Sequence, residues 1–273
     1  METKALKKQL GAAIAMVVVA AIALGSATYA WFVTNNTVKA TTTTISAQSN
    51  AAFMTIANGT EGAKSADTTE ISTEVEKKAL YPATIVDGTD NTNTKGTWMT
   101  GYGKGLSDAA LQGSLIRCAG TTDETKDDNA GTTKAAVAGD FALQQDYNIS
   151  CKSGQTLKDL KVQSVTGTIP SSSDSSLATA LRVLVTDNDG TNWAVYGLKE
   201  DKSAYEVKLS SATDKSTAVV YANEIKSGID TAVHVYLYYE GSDTNVTTKN
   251  LVDGKLSATN AVTVTFTATP NNK

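Results

Sequence analysis

From Asp140 onward, apolar and polar residues alternate with a period of two. Phe141, Leu143, Tyr147, Ile149 and Cys151 alternate with Ala142, Gln144, Asp146, Asn148 and Ser150, broken only at Gln145. Such alternation predicts a half-buried strand. Val233, Val235, Leu237 and Tyr239 make one face of the strongest strand, with His234, Tyr236 and Tyr238 on the other. Val262, Val264, Phe266 and Ala268, with Thr between them, predict the last strand. Leu157–Ile169 reads as another. Leu181–Val185 and Trp193–Tyr196 flank Asp187-Asn188-Asp189-Gly190, the pattern of a hairpin. Ala218–Tyr221 reads as a short strand.

The first half is less regular. Val38–Ile45 is β-branched throughout and predicts a strand. Ala51–Ala57 predicts a second, closed by Asn58-Gly59. Thr60–Lys78 is polar, with a Thr-Glu-Val-Glu-Lys-Lys run that fits one helical turn. Leu80-Tyr81-Pro82 reads as an edge segment, because proline cannot sit in a central ladder. Thr97–Tyr102 predicts a glycine-punctuated strand, and Ser107–Leu115 a short helix capped by Ser107. Thr121–Ala135 is acidic, small-residue sequence and reads as a surface loop. Strands at roughly ten-residue spacing without a long helical period predict an all-β, antiparallel β-sandwich. Insertions fall near 60–96 and 119–137, within one domain spanning 31–273.

Ahead of the strands lies a different pattern. Lys4, Lys7 and Lys8 precede a nearly unbroken apolar run from Leu10 to Leu24, then Gly25-Ser26-Ala27-Thr28-Tyr29-Ala30. A basic start, an apolar run and a small-residue exit form the layout of a secretory signal peptide, with cleavage near Ala30–Trp31. Leu10–Val33 is uncharged and long enough to span a bilayer, so 1–30 read as a retained anchor is the alternative. Either reading places the protein outside the cell or at its surface, touching membrane only through this segment.

Composition narrows the partners. The 273-residue chain has net charge −4; the first thirty residues carry three Lys and one Glu, so the remainder stands near −6. That acidity argues against nucleic acid or anionic lipid as the main partner. Cys118 and Cys151, the two cysteines, form a disulfide candidate in an exported chain, each placed at the end of a predicted strand.

The chemistry of catalysis finds few residues here. His234 is the single histidine and lies in a predicted strand, whereas HExxH zinc sites need two on one helix turn. A Ser–His–Asp triad would also require His234, and no serine sits in a G-x-S-x-G elbow. No GxGxxG or GxxxxGK[ST] loop is present. Asp187-Asn188-Asp189-Gly190 and Asp87-Gly88-Thr89-Asp90-Asn91 place oxygen ligands in turns but miss the EF-hand spacing, so both read as turns. Asn35, Asn58, Asn148 and Asn245 stand in N-x-S/T sequons, which arise by chance in Thr-rich sequence. The expectation is therefore a non-enzyme, with no catalytic residue, cofactor or metal assigned.

Thr28-Tyr29-Ala30-Trp31-Phe32, followed by Val38 and a Thr-rich strand, resembles the N-terminus of the camelysin/TasA family of secreted Gram-positive proteins. Leu80–Thr84 and Tyr239–Asp243 resemble pieces of clostridial-type relatives. The resemblance implies a jelly-roll-like version of the sandwich and extracellular fibres of a biofilm matrix. Some members of that family are described as metallopeptidases. It also implies assembly by strand donation. A freed Trp31-Phe32-Val33 through Val38 end must bury its apolar tip, and an extended segment can complete an open sheet edge. Such a head-to-tail contact of the chain with copies of itself gives filaments. The expected function is a structural subunit of a cell-surface or matrix filament. The alternatives are a monomeric surface adhesin or binding module and a metallopeptidase of the family's kind. A third is a type IV pilin-like subunit processed at Gly11-Ala12, although Met16 stands where pilins carry Glu.

Overall fold

The computed structural model describes residues 43–49, 53–60, 62–63, 68–75, 80–89, 93–102, 115–120, 127–152, 154–167, 177–247 and 262–271. The N-terminal signal or anchor, the assembly strand Trp31–Val38 and residues 107–114 of the expected short helix lie outside them.

The fold is all-β and built in three layers. The first is a five-stranded sheet in the order β12 (Ala222–Lys226), β8 (Thr156–Gly167), β14 (Val262–Pro270), β1 (Thr43–Ser49), β3 (Glu70–Val75). The second has six strands, in the order β11 (Tyr205–Ser210), β10 (Trp193–Leu198), β9 (Leu181–Asp187), β13 (Thr231–Tyr239), β7 (Leu143–Cys151), β2 (Met54–Asn58). The third is a small sheet of β4 (Thr84–Ile85), β5 (Trp98–Thr100) and β6 (Ile116–Arg117), accompanied by helix α1 (Thr133–Ala138). Strand pairing is antiparallel throughout, except that β1 runs parallel to β14, Ile45 opposite Val262.

The alternation explains the layering. Val233, Val235, Leu237 and Tyr239 of β13 bury against Val262, Val264 and Phe266 of β14 and Ile45 of β1, in one core shared by the two large sheets. The opposite face of β13 gives Tyr236 and Tyr238 to a second core with Trp98, Ile85, Cys118, Ala136 and Phe141 from the third layer. The six-stranded sheet is thus covered on both sides.

The sandwich closes differently along its two long edges. On the β2–β3 side, the Ile56 amide donates to the Thr68 carbonyl at 3.0 Å and the Thr68 hydroxyl donates to the Ile56 carbonyl at 2.7 Å. On the β8–β11 side, β12 pairs with β8 only over Thr156–Leu160. Among the described residues, no strand covers that edge of β8 from Lys161 to Gly167, nor the outer edge of β11.

Several expectations change. The 60–78 stretch holds a strand, β3, rather than a helical turn: Ile71, Thr73 and Val75 alternate with Glu70, Ser72 and Glu74 in a pairing with β1. The 119–137 insertion contains α1, whose N-cap Thr132 accepts from the Ala135 amide and whose Ala135 and Ala136 are buried. Gly139 caps its C-terminus, where a Cβ would meet the Ala119 carbonyl and the Phe141 ring. Ala218–Tyr221 is not a strand; pairing begins one residue later, in β12. β11 was not anticipated.

The two cysteines are also not joined. Cys118 and Cys151 are free and buried, one in each core, with the six-stranded sheet between those cores. The expected disulfide is therefore absent.

Candidate functional site

The seam between β8 and β11 is a slot of about 430 Å³ lined by Val162, Val165, Tyr196, Tyr205, Val207 and Val219. Its walls are β8, β10 and β11, with the irregular run Lys215–Val219 alongside. Two polar groups are left inside it. The Tyr205 hydroxyl and the Ser210 Oγ are buried with no hydrogen-bond partner. Burial pushes the Tyr205 phenol up to about 12. Buried hydroxyls normally find partners, and these two do not.

The β9–β10 turn carries the second feature. Gly190, at φ +73, lets the chain reverse within Asp187–Gly190. Asp187 is 7% exposed. Its Oδ2 accepts from the Asn192 amide at 3.1 Å and from Asn192 Nδ2 at 2.6 Å, while Oδ1 is buried without a partner. Desolvation raises the Asp187 pKa, and the neighbouring Asp189 carboxylate adds to the rise.

His234 stands beside this turn on β13, directly opposite Asp146 of β7 and Thr186 of β9. Its Nδ1 lies 2.6 Å from Asp146 Oδ1, which also accepts from Gln144 Nε2 at 2.7 Å. The bond to Asp146 raises the His234 pKa against the opposing effect of burial, and a bond to the Asn188 backbone raises it further. The bond to His234 is in turn the main cause that lowers Asp146. The His234 ring therefore ties β7 to the β9–β10 turn.

Between the six-stranded sheet and the third layer is an open cleft of about 570 Å³. Trp193 and Tyr236 form its apolar wall; Lys95, Arg117 and Lys134 bring positive charge. Lys95 Nζ donates to the Ala212 carbonyl at 3.1 Å, and Arg117 Nε to Asn93 Oδ1 at 3.0 Å. No known family model, curated protein or solved structure matches the chain.

Of the residues singled out from sequence, Trp31, Phe32, Val33 and Val38 fall outside the described residues. Cys118 and Cys151 stand apart in the two cores. The seam escaped sequence reading because it depends on where β12 stops along β8. Asp187 was seen as a turn residue, but its burial depends on the segments that close around it. Among the described residues, no three of His, Cys, Asp and Glu gather as a metal cluster, and no helix is long and apolar enough to cross a membrane.

Proposed function

We propose that this chain is a non-enzymatic structural subunit of an extracellular filament, joined head to tail by entry of Trp31–Val38 into the β8–β11 seam of the next copy. The observation that carries this reading is the seam itself: two uncovered strand edges flanking an apolar slot. Main-chain groups along such edges supply affinity to an added strand, and the slot takes alternate side chains. The dimensions agree. Trp31–Val38 would extend roughly 26 Å, and the uncovered stretch Lys161–Gly167 roughly 23 Å, at about 3.3 Å per residue. The N-terminal resemblance to secreted fibre proteins, and the signal-like start, support the same reading and an extracellular, jelly-roll-like subunit.

Position supports it too. Val262 pairs with both Ile45 and Gly167, so β1 enters at the Gly167 end of the seam. A segment preceding Thr43 would start from that end of the sandwich.

The test uses the chain beginning at Trp31, imaged by electron microscopy. Filaments are expected. Deletion of Trp31–Val38 leaves a folded monomer that binds a Trp31–Val38 peptide, and Val162→Asp in the slot abolishes both assembly and peptide binding. Filaments of undiminished yield from the deletion variant would end the proposal, and a monomeric parent that occupies its own seam would do so equally. A second reading, a monomeric surface-binding module, is favoured by the cleft beside Trp193. It predicts a monomer whose ligand binding is lost in Trp193→Ala.

A further inference from the structure

The β9–β10 turn brings two carboxylates, Asp187 and Asp189, to one pocket. Asp187, Asp189 and Asp230 line one pocket of about 450 Å³, with Asn188, Tyr221, Thr231 and Ala232 completing its wall. No lysine or arginine lines it. His234, beside the turn, is engaged with Asp146 and the Asn188 backbone.

An acidic turn alone means little, since Asp and Asn favour turns for local reasons. The distinguishing observation is Asp187. It is almost wholly buried, at 7% exposure, and one carboxylate oxygen has no partner. Asn192 satisfies only the other oxygen. Asp189, exposed on the same pocket, accepts from the Thr191 amide at 3.3 Å, and its carboxylate lies against that of Asp187. A buried, half-satisfied carboxylate set against a second carboxylate asks for a positive ligand between them.

We infer that the pocket at the β9–β10 turn binds a hard divalent cation of calcium's size, with Asp187 Oδ1 and the Asp189 carboxylate as its anionic ligands. All the donors at hand are oxygens, the preference of hard cations, and calcium accepts six to eight of them in irregular geometry. Two carboxylates leave the other positions to amide and hydroxyl oxygens and water. A site of that low charge belongs with weak extracellular calcium modules, with dissociation constants of about 0.1–1 mM.

The turn joins β9 to β10, and β10 pairs with β11, one wall of the seam. Cation binding would stiffen this hairpin, but the inference does not depend on filament assembly. Calcium chloride is titrated into chelator-treated monomer by calorimetry, alongside Asp189→Asn, Asp187→Asn and the control Asp214→Asn. Asp214 caps a different turn through Ser216. Wild type is expected to bind saturably at about 0.1–1 mM. Asp189→Asn, at an exposed position, should weaken binding at least tenfold, a loss of about 1.4 kcal/mol; Asp214→Asn should stay within twofold. Absence of saturable binding up to about 10 mM, or an unchanged constant in Asp189→Asn, would overturn the inference. In that case Asp187 and Asp189 share a proton instead. Should Asp187→Asn fail to fold, Asp189→Asn decides alone.

Discussion

The two faces of β13 bury side chains by different rules. On the inner face, Val233, Val235, Leu237 and Tyr239 meet another sheet whose facing residues alternate in the same way. At the centre of that core the Tyr147 hydroxyl is satisfied, donating to the Ile45 carbonyl at 2.9 Å; the bare hydroxyls of Tyr205 and Ser210 lie at its margin, along the β8–β11 seam. On the outer face, Tyr238 packs edge-on against Trp98, ring centres 4.7 Å apart. Trp98 Nε1 finds Thr133 Oγ1 at 3.1 Å, but the Tyr238 hydroxyl is buried with no partner. The inner core comes from matched periodic strands; the outer one is assembled from short pieces that leave polar atoms bare. A sheet can therefore be well made on one side and imperfect on the other.

The largest expected effect lies on the inner side. Phe266→Ala removes a fully buried ring from the shared core and should cost about 3–5 kcal/mol, read as a lower urea midpoint. A cost below about 1 kcal/mol would show that the two large sheets are not mutually dependent. Next, Tyr147→Phe should destabilise by about 1–2 kcal/mol, because it leaves the buried Ile45 carbonyl without that donor. The matching change outside, Tyr238→Phe, should do the opposite. Removing a bare buried hydroxyl while keeping the ring should stabilise by up to about 1 kcal/mol. Equal losses in the two Tyr→Phe variants would erase the contrast between the faces.

The smallest effect is the pH dependence of the His234–Asp146 pair at the solvent end of the outer face. His234 has a folded pKa above 6.5, so its contribution is complete below about 6.5 and is lost as pH rises through the folded value. Asp146 is lowered below 3.8, so its contribution is present above about 3.8 and is lost as pH falls through the folded value. The pair thus helps most between roughly pH 4 and 6.5. Because Asp146 is half exposed, the amplitude should be about 0.5–1 kcal/mol. Wild type and His234→Gln compared by thermal melting across pH 4–9 should differ most in that window and converge at high pH. Parallel curves would remove the pair from the account.

Legibility followed the same division. β13, β14, β7 and the β9–β10 hairpin stood out because their alternation is set by a partner sheet with the same period. β11 carries alternation too, in Tyr205, Val207 and Leu209, but as an edge strand it is half-buried on both faces and its charges hide the pattern. β3 was obscured by Glu70 and Glu74. Val219 and Tyr221 looked like a strand because they are buried, yet they enter the core from irregular chain beside β12. The helix α1 had a readable cap in Thr132, but its alanines blended into a low-complexity stretch. Neither the seam nor the half-satisfied Asp187 carboxylate was legible, since both depend on which distant segments meet.

The place of β14 has a consequence for how the protein comes to be folded. It sits between β8 and β1, so without it the first sheet divides into a β12–β8 pair and a β1–β3 pair. A chain made from its N-terminus must hold β1 and β3 ready through most of synthesis, until the closing strand arrives. Pairing of ends so distant in sequence is slow, because the loop entropy is lost before the contacts form. The first sheet is thus joined into one only when β14 arrives, after every other strand of both large sheets has been made.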